Sequence, residues 1–206
     1  MKLLFFTDTH IRGTTPINRT DDFPATLQNK LKEVVEIANT NQVDFVIHGG
    51  DLFDRPDINI SVASKFIPIL QNIQAPIYIV SGNHDIYGHN QATLYRSMLG
   101  LLIELGLIKN LSLEPTFIKK DGITVQLTGG AFSFSVDTDV NRTHYNPPYK
   151  DPLADYAIHT VHGFLTDVKL ADFIPHTPLT MIEDTVADIT LSGHYHAGFE
   201  TKELNN

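Results

Sequence analysis

Short apolar runs alternate with longer segments of helical period along the first half of the chain. Lys2–Thr7, Val43–His48 and Ile77–Val80 are apolar runs of strand length. Between them, Leu27–Asn39 sets Leu27, Leu31, Val34, Val35 and Ala38 at helical spacing, and Ser61–Ile73 predicts a second helix. Gln91–Leu105 predicts a third, with Leu94, Met98, Leu101, Leu102 and Leu105 as its apolar face. The texture then changes. Thr116–Lys119 and Ile123–Thr128 flank Lys120-Asp121-Gly122, the pattern of a hairpin on an Asp-Gly turn. Ser133–Asp155 is polar and proline-bearing and reads as a surface loop, followed by strands at Tyr156–Val161 and Asp188–Ser192. The alternation predicts α/β layering in a single domain spanning residues 1–206.

Composition narrows this picture. At 206 residues, 42% hydrophobic and 19% charged, the chain has material for one sizeable core. No segment approaches the roughly 20 apolar residues of a membrane span. The apolar start, Met1 to Phe6, soon meets Thr7, Asp8 and His10, and reads as a buried strand and not as a signal peptide. The chain has no cysteine, which removes disulfides and thiolate ligands and fits a cytoplasmic location. A net charge of −9 weighs against a general nucleic-acid binder. Bound divalent cations would change that balance locally.

Candidate chemistry sits where the strands end. Five apolar strands each run into polar residues, and ligands of open α/β sheets bind beyond the carboxyl ends of strands. Asp8 and His10 follow the first strand, two apart and therefore on one face of an extended segment. Gly49-Gly50-Asp51 follows the second, where Asp51 has two oxygens with which to bridge two metals. Asp54 and Arg55 beyond it read as a helix cap or as an ion pair with each other. Ser81-Gly82-Asn83-His84-Asp85 follows the third. Asn83 offers a neutral oxygen, His84 a proton or a charge for a phosphate oxygen, and Asp85 a carboxylate to orient that imidazole. His162-Gly163 ends a strand that also carries His159. Three apart, the two imidazoles point to opposite faces, so His162 is expected at the site, with His159 and His48 satisfied in the core. Gly193-His194-Tyr195-His196 repeats the two-apart spacing.

These oxygen and nitrogen donors without sulfur suit two divalent ions, manganese foremost, with iron, zinc or nickel as the others. The ordered set D-x-H, G-G-D, G-N-H-D, H-G and G-H-x-H, from Asp8 to His196, resembles the calcineurin-like metallophosphoesterase superfamily. The resemblance implies a two-sheet β-sandwich flanked by helices. It implies one metal held by Asp8, His10, Asp51 and His196 and a second held by Asp51, Asn83, His162 and His194. It further implies attack on phosphorus by a metal-bridging hydroxide, with His84 as the catalytic assistant; the residues themselves suggest Asp85 as its orienting partner.

Within the superfamily, Gly49-Gly50-Asp51-Leu52-Phe53-Asp54-Arg55-Pro56 resembles the SbcD-type DNA repair nucleases. That implies DNA as the substrate and an SbcC-type ATPase partner, with no membrane association; the apolar face of Gln91–Leu105 reads as core, or, as the equivalent region can be in such nucleases, as the surface of a homodimer. The alternative is a small-molecule phosphodiesterase or phosphatase, for example on cyclic nucleotides. A scaffold without catalysis is disfavoured because every expected ligand and His84 are present. The two enzyme readings differ only in substrate-facing loops. Ser133–Asp155, with Arg142, His144, Tyr145, Tyr149 and Lys150, is the expected one, against the reading of a plain surface loop. Superfamily members usually add strands after G-H-x-H, so the domain is expected to be either a compact variant or truncated, with an unpaired edge on its second sheet.

Overall fold

The computed structural model describes residues 1–204 apart from 169 and 172. The element order is β1 (Leu3–Phe6), α1 (Phe23–Thr40), β2 (Phe45–His48), α2 (Ile60–Leu70), β3 (Ile77–Ile79), α3 (Met98–Glu104), β4 (Lys109–Asn110), β5 (Thr116–Lys120), β6 (Ile123–Gly130), β7 (Tyr156–Gly163), β8 (Leu165–Thr166), β9 (Thr177–Pro178) and β10 (Ile189–His194). Two four-stranded sheets result, ordered β1-β2-β3-β4 and β10-β7-β6-β5, beside a small β8-β9 pair. The first sheet is all parallel. In the second, β10, β7 and β6 run parallel and β5 is antiparallel to β6.

Period-two alternation explains how the layers stack. On β2, Phe45 and Ile47 face the second sheet and, with Tyr78 and Val80 of their own layer, meet Val125, Leu127 and Ile158 there. Val46 points the other way, into a core with Leu31 of α1, Phe66 and Ile69 of α2, and Leu99 and Leu102 of α3. Strands buried on both faces read as continuous apolar runs, as Phe45–His48 does. The outer face of the second sheet is covered differently. There Gln126 donates to the Tyr149 carbonyl and accepts from the Asp151 N–H, so the 133–155 segment seals that face. Its anchor is Tyr145, fully buried, whose hydroxyl donates to Asp137 at 2.6 Å. Among the described residues, no helix is long and apolar enough to cross a membrane.

Several elements differ from the sequence reading. α1 begins four residues earlier than expected, because Asp22 caps it by accepting from the Ala25 N–H and Pro24 sits in its first turn. The helix expected over Gln91–Leu105 is two pieces, a 3₁₀ segment Gln91–Arg96 and α3, broken at Ser97, whose side chain caps α3 through Gly100. The break turns the expected apolar stripe: Leu94 and Leu102 are buried, whereas Leu101 and Leu105 are exposed. The Asp-Gly hairpin forms as expected. Asp121 (φ 51°) and Gly122 (φ 80°) supply the two positive φ angles of a primed two-residue turn.

Candidate metal centre

β1, β2 and β3 of one sheet, and β7 and β10 of the other, end at the same edge of the sandwich. Parallel pairing fixes this. Phe6 is in register with His48, His48 with Ile79, and Gly193 with His162. Residues following each strand end therefore meet although they are far apart in sequence.

The backbone there is bent against ordinary preference. Asp8, His10, Asp51 and His194 all have positive φ, at 53°, 46°, 54° and 84°. Each such conformation costs a non-glycine residue about 1–2 kcal/mol. The loops offset that cost by pairing with one another. Asp8 and His10 N–H groups donate to the carbonyls of Gly50 and Asp51, at 3.0 Å each, and Ile11 donates to Leu52 at 2.9 Å. Glycine is required where the chains touch. A Cβ on Gly82 would collide with the Asp51 carboxylate, and one on Gly193 with the Gly49 carbonyl and Thr7 hydroxyl.

Three overlapping side-chain triads result: Asp8, His10 and His196; His10, Asp51 and His84; and Asp51, His162 and His194, each with ligand atoms within 4.8 Å of one another. His196 Nε2 lies 3.3 Å from Asp8 Oδ1 and 3.2 Å from His10 Nε2. His162 Nε2 lies 3.4 Å from Asp51 Oδ2, 3.2 Å from Asn83 Oδ1 and 3.2 Å from His194 Nδ1. Asp51 belongs to two triads and touches both imidazole groups. Its Oδ2 is also 3.8 Å from His10 Nε2.

The chemistry of this donor set fits cations. His162 Nδ1 donates to the Gly49 carbonyl at 2.8 Å, which leaves Nε2 with its lone pair toward Asp51, Asn83 and His194. Two carboxylates, an amide oxygen and four imidazoles converge, and the carboxylate and amide oxygens and each unprotonated ring nitrogen present lone pairs. Such lone pairs repel unless a positive charge lies among them. Burial works against charging Asp51, but the adjacent His162 imidazole and the hydrogen bond from the His84 backbone N–H hold it ionised, at about 2. Burial also disfavours a charged His162, yet contact with Asp51 outweighs it and raises the imidazole. The surrounding groups brace the donors. Thr7 donates to Asp8 Oδ2 at 2.6 Å, and the His194 N–H donates to the same carboxylate at 3.0 Å.

Asp8, His10, Asp51, Asn83, His84, His162, His194 and His196 are thus brought together. Asp85 does not play the part expected of it. It makes no hydrogen bond to the His84 imidazole. Fully buried, it accepts from the backbone N–H groups of Gly82 (3.0 Å), Phe53 (3.1 Å) and Leu52 (3.4 Å), so it ties the second strand-end loop to the third. Burial and the nearby charge of Asp51 push it up to about 7. What orients His84 is the Asp54 carbonyl, 2.8 Å from its Nδ1. The Asp54 side chain pairs with Arg12 at 3.0 Å and Arg55 leans on Asp57, so the two do not pair with each other, and the cap of α2 is Asn59.

His159 lies on the outer face of β7, between Thr128 (2.8 Å) and the His144 carbonyl (2.8 Å). His48 is buried behind the centre between Thr9 and the Gly50 N–H, and burial pushes it down to about 3. Of the aromatic and basic residues expected to face substrate, Tyr149 is exposed and the other four are engaged elsewhere. Tyr145 is core, Lys150 pairs with Asp188 at 2.7 Å, Arg142 is held by the Asp139 and His176 carbonyls, and His144 bonds Ser133 and Ser135. In their place Phe132, just past β6, lies 5.8 Å from the His194 ring and 6.2 Å from that of His162. A lone phenylalanine after a strand carries no sequence signal of this.

The family model described as calcineurin-like phosphoesterase matches residues 1–198. The chain is 32% identical over 130 residues to the DNA double-strand break repair protein Mre11 of Saccharolobus solfataricus, covering 61% of this chain and 32% of that protein. It is 28% identical over 163 residues to the protein of that name from Methanosarcina acetivorans, covering 76% of this chain and 22% of the other. The chain thus spans about a third or less of the length of these relatives. In fold it is similar to a dimetal phosphatase from Danio rerio, with a TM-score of 0.60 at 14% identity, covering 98% of this chain and 83% of the other.

Proposed function

The chain belongs to the calcineurin-like phosphoesterase family, a family of hydrolases with a dinuclear divalent-metal site, and from that premise we propose that it is a two-metal phosphodiesterase acting on DNA. The observation that carries the two-metal reading is Asp51, whose carboxylate is shared between the triads on either side of it. One ion is assigned to Asp8, His10, Asp51 and His196, the other to Asp51, Asn83, His162 and His194. Manganese is the metal we assign. It suits the carboxylate and amide oxygens of the set. When bound, the two ions supply Lewis-acid charge and an activated water for in-line displacement at phosphorus.

The chain's own residues do the rest. Asp51 and Asp8 hold the charge of the site in place. His84, pinned at Nδ1 by the Asp54 carbonyl, keeps Nε2 as its other nitrogen and stands with its ring centroid 4.7 Å from that of His10, nearly perpendicular to it. Protonated, that nitrogen donates to a phosphoryl oxygen or to the leaving oxygen, where negative charge grows in the transition state. DNA as substrate is supported by the likeness to the repair proteins named above and by the segment Gly49 to Pro56. The resemblance to SbcD-type nucleases also implies an ATPase partner, to be sought by co-purification.

The test is a substrate panel with manganese: single- and double-stranded DNA, cyclic nucleotides, and bis-p-nitrophenyl phosphate. DNA cleavage is expected, and a protein that turns over cyclic nucleotides but no DNA refutes the nuclease reading. His84→Ala should keep both metals and lose about 10²–10⁴-fold in turnover, the usual contribution of a placed acid. Asp51→Ala should lose metal as well. Metal analysis that finds His84→Ala stripped would make that residue structural.

A further inference from the structure

Aromatic rings continue outward from the metal centre. Phe132 stands beside His194 and is nearly buried, at 9% exposure. Beyond it lie His89, 5.5 Å from Phe132, and Phe134, 6.1 Å from Phe132 and 5.2 Å from His89. Phe134 is 73% exposed and His89 is exposed as well. A large exposed phenylalanine contiguous with a buried one is unfinished apolar surface, which marks a contact face when it borders a site.

The platform is fixed and not incidental. The Phe132 N–H donates to the Ser81 carbonyl at 2.9 Å, and its carbonyl accepts from Gln91 at 2.8 Å. Gln91 in turn accepts from the Ser81 hydroxyl at 2.7 Å. Ser81 lies two residues before Asn83, so the aromatic array is clamped to a loop that carries metal donors. His89 sits on the same stretch of chain, between Asn83 and Gln91.

We propose that Phe134 and His89, backed by Phe132, form a stacking surface for the base of the nucleotide whose phosphate lies at the metal centre. This rests on the phosphodiesterase reading and adds to it a substrate class: strands whose bases are unpaired and splayed. Only an unstacked base can offer its face to a side chain, and stacking of this kind tolerates any base. A phenyl ring and an imidazole present flat π-faces, so the surface selects the base by stacking and not the phosphate by charge. That suits a chain of net charge −9, which lacks a general phosphate-binding excess of Lys and Arg.

The experiment is calorimetric titration of the metal-loaded chain with deoxyadenosine 5′-monophosphate and with deoxyribose 5-phosphate, which differ only in the base. The nucleotide should bind about 10-fold tighter or more, the ordinary worth of one base–aromatic stack. Phe134→Ala should abolish that ratio, whereas Phe134→Tyr should keep it. A ratio near one in the unaltered chain, or a ratio that survives Phe134→Ala, overturns the proposal. Cleavage of a single-stranded oligonucleotide is measured in parallel. No cleavage with the ratio intact would overturn the DNA reading and leave the stacking surface standing. A circular dichroism spectrum of Phe134→Ala matching the parent is expected from the exposure of the side chain.

Discussion

Replacing Asp85 by alanine should damage the fold at the metal centre more than the chemistry. Its carboxylate accepts three backbone N–H bonds, two of them at 3.0 and 3.1 Å and a longer one at 3.4 Å, with no exposure to water. A bond to a charged acceptor is worth about 1.5–3 kcal/mol, and a buried N–H left without a partner costs about 1–3 kcal/mol. Two good bonds therefore set an upper figure of about 3–6 kcal/mol. The cost of keeping a carboxylate in a dry site, visible in its upward shift to about 7, offsets part of this. A net loss of about 2–4 kcal/mol is expected, a large share of the 5–15 kcal/mol typical of a domain. Urea unfolding at pH 8 in the presence of a chelator reads it without the contribution of bound metal. Asp85→Asn should lose somewhat less, since one oxygen remains to accept, although its amide would face a donor. A loss below about 1 kcal/mol, together with a fall in turnover matching that of His84→Ala, would refute the reasoning and return Asp85 to the role of orienting His84.

Three further outcomes follow from the structure. His159→Ala should leave the metal content unchanged by elemental analysis, yet lower stability by about 2–4 kcal/mol, because Thr128 and the His144 carbonyl lose their partner in the interior. Gly122→Ala should cost about 1–2 kcal/mol in chemical unfolding. It has positive φ, at 80°, and nothing within 4 Å of an added Cβ, so the cost is purely conformational and activity should not change. Burial works against the charge of Asp188, but Lys150 and the Ala157 N–H outweigh it and hold the carboxyl below its ordinary range. A depressed folded pKa stabilises above the unfolded value of about 3.9 and is lost as pH falls through the folded one, so Asp188→Asn should lower Tm at pH 6 and progressively less below about pH 4.

The sequence by itself determined the order of elements and the types of residue that meet at the strand ends. Apolar runs of strand length, the helical stripe from Leu27 to Ala38 and the Asp-Gly turn are local patterns, set by side-chain period and backbone preference. The motifs from Asp8 to His196 were legible for the same reason: each lies at or just past the end of a strand, so its place at a sheet edge is implied once the strand is seen. The three-residue spacing of His159 and His162 set them on opposite faces of β7.

What the tertiary structure alone decided are contacts between segments far apart in the chain. Asp85 and His84 are neighbours in sequence, but adjacency does not set where a side chain points. The Gly82, Phe53 and Leu52 N–H groups draw Asp85 inward, and a carbonyl thirty residues earlier takes the imidazole. The 133–155 segment has the composition of a mobile loop, yet Tyr145 is buried through Asp137 and Gln126 is matched to its backbone, so it covers a sheet in place of a helix. Phe132 and Phe134 border the metal centre only because parallel pairing of β6 with β7 carries Gly130 to the level of Val161, one residue short of His162. Strand register is a long-range property, fixed by the packing of whole layers, and no local pattern of residues encodes it.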